Sequence, residues 1–413
     1  MKTIAGGVTA AKGFQAAACE AGIKYQGRMD MAMICSTVPC AVAGTFTSNQ
    51  FKAAPVLWDQ TILHQYGQAQ AVVVNAGIAN AATGVPGLDL CRQTAEAAAA
   101  ALHISSSLVL LGSTGVIGPA LPLDRMTAGI NRMAAQLSDT TEAGTLASRA
   151  IMTTDTVNKE TAVAFELPAA DGRGTVTVRL GGMSKGSGMI HPNMCTMLGY
   201  LTTDCAISRP LLQKALSAVV PDTFNMISVD GDTSTNDTLL LLANGQAGNR
   251  CIQEEDGSYA LFRDALFQVC RTLAVIMAGD GEGATHLIEM RVIHADTKEN
   301  ARQLARSVVS SSLVKAMIYG KDANCGRILC ALGYAGPAFD PFSIELYMVG
   351  PDQNLCFYRD GRVQNFDEEK ALALLSEHAV RFLCDLKMGD EEATAWGCDL
   401  TYDYVKINGD YRS

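Results

Sequence analysis

The sequence predicts a layered α/β or α+β sandwich, because short apolar runs and turn-rich loops alternate with helical stretches along all 413 residues. Apolar residues make up 48% of the chain and charged residues 18%, too apolar for a disordered protein. The length corresponds to two or three globular units, and no repeat or linker divides them. The small charged fraction also predicts that part of the surface is buried between subunits.

Strands are predicted first. Apolar runs at 72–74 and 108–111 each precede a glycine-containing segment, which is predicted to turn. Residues 162–167 and 175–180, joined by the turn residues of PAADGRG, predict a hairpin. Alternation of Ile288, Met290 and Val292 with charged residues predicts a half-buried strand.

Helices follow from capping and proline signals. Asp139, with Glu142 three residues later, predicts a capped helix that ends near Met152. Pro210 opens a helix to about residue 220, and residues 259–277 form a long apolar helix. Asp367 is predicted to cap a helix that runs to about residue 383, and the terminal YDYVKIN is predicted to be a strand.

Charge and composition exclude several classes of protein. The net charge of −10, without a basic run, argues against a nucleic-acid-binding protein. Residues 97–123 are uncharged but interrupted by His, Ser, Gly and Pro, so no membrane span is expected, and the first residues lack the continuous apolar region of a secretory signal. Thirteen scattered cysteines without a CxxC pair predict buried free thiols in a cytoplasmic protein without a zinc site.

Common catalytic motifs are missing from the sequence. No GxGxxG follows a strand, and GxxxxGK[ST] and HExxH do not occur. The six histidines are isolated. His191 could serve as a base, but a lone histidine without an orienting partner is more often structural.

The central loop KGSGMIHPNMCT has two interpretations. Local sequence favours an ordinary glycine-rich loop. The alternative is self-cleavage: Thr196 Oγ attacks the Cys195 carbonyl, the peptide shifts to an ester, and hydrolysis leaves Thr196 as a new N-terminus. Its α-amine, with a pKa near 7.7–8.0, would then be a base beside its own hydroxyl.

Three further segments offer polar groups. STGVIG follows an apolar run and contains Thr114 and Gly115, which could donate hydrogen bonds to an oxyanion. SVDGDTSTND lacks the pattern of a calcium loop and predicts a hydrogen-bonded turn system. Glu282, between Gly281 and Gly283, could meet a cationic ligand, with a solvated loop carboxylate as the alternative.

Nine motifs in order resemble the ornithine acetyltransferase family, the bifunctional glutamate N-acetyltransferases and amino-acid acetyltransferases of arginine biosynthesis. They cover nearly the whole chain: GVTAAKGFQAA, AGTFTSNQFKAAPV, STGVIG, MTTDT, KGSGMIHPNMCTML, DGDTSTND, DGEGAT, YGKDANCGRI and INGDYRS. The resemblance implies the ornithine acetyltransferase/DmpA-like, N-terminal-nucleophile-like fold. It also implies cleavage between Cys195 and Thr196 into interlocked α (1–195) and β (196–413) chains.

The resemblance also implies roles for residues of this chain. Thr196 would be the nucleophile, and Thr114 and Gly115 the oxyanion hole. The substrate-binding positions would be Thr154 (with Thr153 as the alternative), Lys185, Thr196, Glu282, Asn408 and Ser413.

The implied reaction is a ping-pong transfer of acetyl from N2-acetylornithine to L-glutamate through an acetyl-Thr196 ester. No metal or other cofactor is expected, and acetyl-CoA would be a co-substrate in the bifunctional case. The family implies an α2β2 heterotetramer. Cys195, Ala76, Ile78 and Cys325 depart from residues common in the family, which bears on the details of substrate contacts.

Two other functions fit parts of the sequence. An N-terminal-nucleophile amidase or aminopeptidase would use the same residues with water as the acyl acceptor. A ligand-binding protein without catalysis would remain a single uncut chain.

Overall fold

The computed structural model describes residues 1–191 and 197–410. They form two compact units. Unit 1 contains residues 1–186, 197–224 and 233–273, and unit 2 contains residues 187–191, 225–232 and 274–410. The length-based expectation of two or three globular units is therefore confirmed.

Strands and helices alternate along the described residues, as the sequence predicted. The strands are β1 (Lys2–Ile4), β2 (Phe14–Cys19), β3 (Met31–Phe46), β4 (Gln68–Ile78), β5 (Val109–Val116), β6 (Lys159–Pro168), β7 (Thr175–Lys185), β8 (Leu198–Thr203), β9 (Ile227–Ser228), β10 (Thr238–Ala243), β11 (Leu287–Ala295), β12 (Glu345–Met348), β13 (Leu355–Arg359), β14 (Arg362–Val363), β15 (Ala379–Asp385) and β16 (Glu391–Cys398). The α-helices are α1 (Ala54–Gln65), α2 (Gly84–Leu102), α3 (Leu123–Ala134), α4 (Thr141–Ala150), α5 (Arg209–Val219), α6 (Gly257–Gly279), α7 (Lys298–Ser310), α8 (Ser312–Tyr319), α9 (Cys325–Gly333), α10 (Glu368–Leu375) and α11 (Tyr402–Gly409).

Unit 1 is built on a mixed sheet in the order β1-β6-β7-β8-β10-β3-β4-β5, with β2 also paired to β3. Every residue of β8 and β10 is buried, as expected for strands that are covered on both faces. A Cβ at Gly112 of β5 would overlap the Tyr200 hydroxyl of β8, so these strands lie against each other although they are distant in the sheet order. Unit 1 is thus layered.

Unit 2 is built on a second mixed sheet in the order β14-β13-β12-β15-β11-β16-β9. Ile288, Met290 and Val292 of β11 are fully buried, and helix α7 packs against β11 and β16. The predicted strand at 288–292 is confirmed, and so is the layered α/β class of fold.

Several predicted elements have the predicted bounds to within a few residues. Strands β6 and β7 form the antiparallel hairpin, with Leu167 opposite Val176. Helix α5 begins at Arg209 with Pro210 in its first turn, and α6 covers the long apolar segment. Asp367 does cap α10, because its side chain accepts hydrogen bonds from the Glu369 and Lys370 N–H groups.

Four predictions about local structure were wrong. The terminal YDYVKIN is helix α11 instead of a strand. Helix α10 ends at Leu375, because Val380, Phe382 and Cys384 alternate with more exposed residues as strand β15. The glycine-containing segments after residues 74 and 111 continue as β4 and β5 to Ile78 and Val116 instead of turning. Thr140, whose hydroxyl accepts from the Ala143 N–H, caps α4 in place of Asp139.

The twelve cysteines in the described part of the chain are free, as predicted, and nine are buried. Cys251 and Cys330 are exposed, which corrects the prediction that all are buried. Among the described helices, none is long and apolar enough to cross a membrane.

Candidate functional site

The predicted site residues are divided between the two units. Unit 1 carries Thr114, Gly115, Thr153 and Thr154 of MTTDT, and Lys185, while unit 2 carries Glu282 and Asn408. Cys195, Thr196 and Ser413 lie outside the described residues. The described site residues therefore form two groups, one in each unit.

Thr114 and Gly115 lie at the end of β5, beside the end of β4. Gly115 is opposite Gly77, where the register between the two parallel strands shifts. Gly115 has φ of 129°, and a Cβ on it would overlap the Gly77 backbone, so this close approach requires glycine. Thr114 and Gly115 are half-buried, between buried Ser113 and Val116. A hydroxyl and a backbone amide are therefore presented at one partly accessible strand end.

Asn236, which sequence reasoning did not select, fixes this strand end. Its side-chain amide donates to the Ala79 carbonyl over 2.6 Å and to the Ser113 carbonyl over 2.7 Å. The Ser113 hydroxyl in turn donates to the Asn75 side chain over 2.7 Å. Asn236 belongs to the predicted hydrogen-bonded turn SVDGDTSTND, and the structure adds its distant partners. The carbonyl that precedes Thr114 is thus held by a buried side chain.

The start of β8 connects this network with Lys185. Leu198, two residues after Thr196 in the sequence, is opposite Lys185 of β7 on one side and Thr238 of β10 on the other. The Thr238 N–H donates to the Met197 carbonyl over 2.8 Å. Asn236 lies two residues before Thr238. Met197, which follows Thr196, is therefore held by β10. The turn that precedes β10 contains Asn236, which supports Ser113.

Lys185 lies in a buried charged cluster. Its ammonium donates to Thr153 Oγ1 over 2.9 Å and lies 3.8 Å from Asp155 Oδ2. Asp155 also pairs with Lys159 over 2.7 Å, and it accepts the Gly186 N–H. The structure thus links Lys185 to Thr153, and substrate contact by Thr154 stays a prediction.

The protonation of this cluster follows from its charges. Burial by itself would raise the pKa of Asp155, but the nearby ammonium groups of Lys185 and Lys159 outweigh it and hold that pKa well below its usual range. Asp155 is therefore ionised at neutral pH. Two buried lysines therefore share the Asp155 carboxylate.

Asp237 is a second buried carboxyl group in unit 1. Burial raises its pKa well above the usual value, although hydrogen bonds from Ser234 and Thr47, the charge of Lys185 and the Met197 N–H act in the opposite direction. Among the described residues, its Oδ2 has no hydrogen-bond partner. Asp237 therefore lies beside the start of β8 as a group that can hold a proton.

A cavity of about 670 Å³ opens on the Thr153 side of this cluster. Its lining includes Arg28, Arg149, Thr153 and Asp155. This volume is in the range of small-molecule sites. The cavity gives unit 1 room for a ligand next to the residues that hold Lys185.

In unit 2, Glu282 is only 5% exposed and is paired with the C-terminal helix. Asn408 of α11 donates to Glu282 Oε2 over 2.7 Å. A Cβ at Gly188 would overlap the Glu282 carboxylate, so the backbone lies directly against it. Two of the residues predicted to bind substrate, Glu282 and Asn408, are thus brought together, and the solvated-loop alternative for Glu282 is wrong.

His191 has no free lone pair for a base. Arg306 Nη2 lies 3.2 Å from His191 Nε2, and a guanidinium can only donate, so Nε2 accepts. The proton is then on Nδ1, which donates to Ser228 Oγ over 3.0 Å. Burial and the charge of Arg306 both lower the pKa of His191. The structural interpretation of His191 is favoured over the catalytic one.

Metal ligands do not cluster in the described ranges 1–191 and 197–410. No group of three or more His, Cys, Asp or Glu side chains there could hold a metal ion. Within unit 1 the predicted site residues offer hydroxyl, backbone amide and ammonium groups, and within unit 2 they offer a carboxylate and a side-chain amide; groups of these types can recognise an amino acid.

Two solved structures each match about half of this chain. A crystal structure of the arginine biosynthesis bifunctional protein ArgJ from Bacillus halodurans is 44% identical, with a TM-score of 0.49 over 51% of this chain and 97% of that one. A structure of ornithine acetyltransferase complexed with ornithine from Mycobacterium tuberculosis is 43% identical, with a TM-score of 0.41 over 46% and 98%.

Two curated relatives match over nearly the whole length of this chain. The arginine biosynthesis bifunctional protein ArgJ of Symbiobacterium thermophilum is 51% identical over 100% of both chains, and that of Bacillus subtilis is 42% identical over 99% of this chain and 97% of its own. The ArgJ family model matches residues 15–413. The chain therefore belongs to the ArgJ family, which confirms the ornithine acetyltransferase type of fold, and it is an acyltransferase enzyme of arginine biosynthesis.

Proposed function

We propose that this enzyme transfers the acetyl group of N2-acetylornithine to L-glutamate through Thr196, giving ornithine and N-acetylglutamate. The observation that carries the proposal is the position of Leu198, two residues after Thr196, opposite both Lys185 and Thr238. The Lys185 ammonium, which can bind a substrate carboxylate, therefore lies on β7, one of the two strands beside the start of β8. The other strand, β10, follows the turn that supports Ser113 and Thr114. The ornithine bound to the Mycobacterium tuberculosis relative supports this class of substrate.

The first step is self-cleavage. Thr196 Oγ attacks the carbonyl carbon of Cys195, the C–N bond breaks, and the nitrogen takes the hydroxyl proton to become the α-amine of Thr196. Water then hydrolyses the resulting ester and restores the hydroxyl. The products are an α chain that ends at Cys195 and a β chain that begins at Thr196, and two of each form an α2β2 assembly in the cytoplasm.

Acetyl transfer uses the new N-terminus twice. The α-amine of Thr196 takes the Oγ proton while Oγ bonds to the acetyl carbon, and that proton passes to the ornithine nitrogen as its bond to the acetyl group breaks. The amine of glutamate then attacks the acetyl ester, the bond between Oγ and the acetyl carbon breaks, and the α-amine of Thr196 carries a proton from the glutamate nitrogen to Oγ. Thr114 and the Gly115 N–H stabilise the oxyanion of each tetrahedral intermediate.

Binding groups are assigned by charge and hydrogen-bonding capacity. Lys185 pairs with the α-carboxylate that both substrates share, and Glu282, supported by Asn408, meets the side-chain ammonium of acetylornithine. Thr154 and Ser413 add directional hydrogen bonds. No cofactor takes part, and acetyl-CoA serves as a second acetyl donor to glutamate.

The test is a two-substrate assay. Purified enzyme with acetylornithine should release ornithine continuously only when glutamate is added, with one N-acetylglutamate per ornithine. Thr196→Ala should abolish this transfer. Continuous release of ornithine and acetate without glutamate would instead identify an amidase that uses water as acceptor.

A further inference from the structure

The segment 187–191, which ends four residues before Cys195, is bound entirely within unit 2. Gly186 before it and the described residues from Met197 onward belong to unit 1. The chain thus leaves unit 1 for five residues just ahead of the predicted cleavage site. We call these residues the clamped segment.

Asp230 makes the principal contact with the clamped segment. Its Oδ2 accepts the Met189 N–H over 2.6 Å, and its Oδ1 accepts the Ile190 N–H over 2.8 Å. Hydrogen bonds to a carboxylate are stronger than those between neutral groups. Two consecutive backbone amides are therefore fixed by the two oxygens of one side chain.

Other groups hold the rest of the clamped segment. The Ser187 carbonyl accepts the Glu282 N–H over 2.9 Å, and the Ser187 hydroxyl donates to the Asp280 carbonyl over 2.7 Å. The Ile190 carbonyl accepts the Val229 N–H over 2.6 Å. The segment is thus held at both ends, with Asp230 at its centre.

Met189 shows that the conformation of the segment is imposed by these contacts. It has φ of 54°, in the left-handed region that residues with a Cβ disfavour, and the residue is 43% exposed. Packing of the side chain therefore does not explain the conformation. The two hydrogen bonds to Asp230 do, because they offset the cost of the left-handed backbone.

Asp230 is itself fixed by the C-terminal helix. The Tyr404 hydroxyl donates to Asp230 Oδ2 over 3.2 Å, one turn of α11 before Asn408, which binds Glu282. Burial and the charge of Asp230 raise the pKa of Tyr404, so the hydroxyl stays protonated as a donor. The same helix therefore supports both the clamp and Glu282.

We infer that Asp230 is a positioning residue for self-cleavage, which fixes the chain ahead of the scissile bond by binding the Met189 and Ile190 amides. The inference rests on the proposed self-cleavage between Cys195 and Thr196. The attack of a hydroxyl on the preceding carbonyl requires close alignment, and small misplacements slow such reactions strongly. The downstream side is held separately, through the hydrogen bond from Thr238 to Met197.

The test follows cleavage of the full chain in time after cell-free synthesis, on a denaturing gel. Asp230→Asn and Asp230→Ala should cut about 10- to 100-fold more slowly than the parent, the range that misplaced reacting groups produce. Asp232→Asn is the matched control, because Asp232 donates its backbone N–H to Asp230 and the substitution keeps that group, so the rate should stay unchanged.

Rescue distinguishes positioning from general stability. Glycine adopts the left-handed conformation without the cost that Met189 bears, so Met189→Gly should cut at the parent rate and should restore most of the rate to Asp230→Asn. Absence of rescue would overturn the positioning role.

Hydrogen exchange supplies a second readout on uncut protein. In a Thr196→Ala background, Asp230→Asn should accelerate exchange at the Met189 and Ile190 amides while unit 2 stays protected. Loss of protection throughout unit 2 would assign slow cutting to unfolding and overturn the inference.

The two proposals fail differently. A parent chain that stays whole overturns self-cleavage and this inference together. If the parent chain cleaves itself and the Asp230→Asn variant does so equally fast, only the role of Asp230 is overturned.

Discussion

Lys185 Nζ donates a hydrogen bond of 2.9 Å to Thr153 Oγ1, which joins the end of β7 to the loop that follows α4. The ammonium also lies 3.8 Å from Asp155 Oδ2, and the side chain is 9% exposed. Asp155 has Lys159 as its closer partner, and the hydrogen bond to Thr153 orients the Lys185 ammonium. A substrate carboxylate would therefore meet a cation that is already oriented.

Replacing Lys185 tests this role. Lys185→Met should raise the KM for glutamate about 10- to 100-fold, since a hydrogen bond to a charged group contributes about 1.5–3 kcal/mol. Thr153→Val should raise the KM for glutamate less than Lys185→Met does, because it removes only the hydrogen bond that orients the Lys185 ammonium. Thr154→Val is the matched comparison. Steady-state kinetics at saturating acetylornithine measures all three. A larger effect at Thr154 would place the substrate contact there.

Asp155 should make stability depend on pH. Its folded pKa is held well below the unfolded value of about 3.9, so its contribution is complete above that value and is lost as the pH falls toward the folded pKa. Asp155→Asn, which removes the carboxylate paired with buried Lys159, should cost about 3–5 kcal/mol at pH 7.

Urea unfolding followed by circular dichroism measures this difference. The gap between parent and Asp155→Asn should narrow from about pH 5 to pH 3, where the unfolded carboxyl becomes protonated. A gap that stays constant across this range would contradict the assigned ionisation of Asp155.

Thr114 should affect the rate of acetyl transfer more than substrate binding. Loss of one oxyanion donor typically costs about 2.7–4 kcal/mol, so Thr114→Ala should lower kcat by about 10²- to 10³-fold with little change in KM. Thr114→Ser keeps the hydroxyl and is the control, expected to retain most of the activity. Transfer by Thr114→Ala at the parent rate would remove Thr114 from the oxyanion hole.

Glu282 should distinguish the two substrates. Acetylornithine carries a side-chain ammonium and glutamate does not, so Glu282→Gln should raise the KM for acetylornithine about 10-fold or more and leave that for glutamate nearly unchanged. Gln keeps an oxygen that can accept from Asn408, which preserves the contact seen over 2.7 Å. An equal rise for both substrates would contradict the assigned ammonium contact.

Turn and proline residues in the sequence correctly predicted the elements whose structure depends mainly on neighbouring residues. The β6–β7 hairpin and α5 carry strong turn and proline signals, and both form as predicted. Helix α11 does not follow its local signal, because Tyr, Val and Ile favour strands. Tyr404 and Asn408, one helical turn apart, instead contact Asp230 and Glu282, so tertiary contacts outweigh propensity.

Site residues that lie within a recognisable motif could be predicted from the sequence. Contacts between segments that are distant in the sequence could not. The motifs that resemble the family contain Thr114, Lys185 and Glu282. Nothing in the sequence pairs Asn236 with Ser113, 123 positions apart, or Lys185 with Thr153. Long-range hydrogen bonds of this kind leave no periodic pattern in one sequence, so the structure is needed to find them.

The acetyl-Thr196 ester can be detected directly by intact-protein mass spectrometry. Enzyme mixed with acetylornithine in the absence of glutamate should yield a β chain that begins at Thr196 and carries the mass of one acetyl group, lost again when glutamate is added. Fragmentation should place the acetyl group on Thr196. A chain that stays uncut, or a β chain that transfers acetyl without ever carrying it, would contradict catalysis through Thr196.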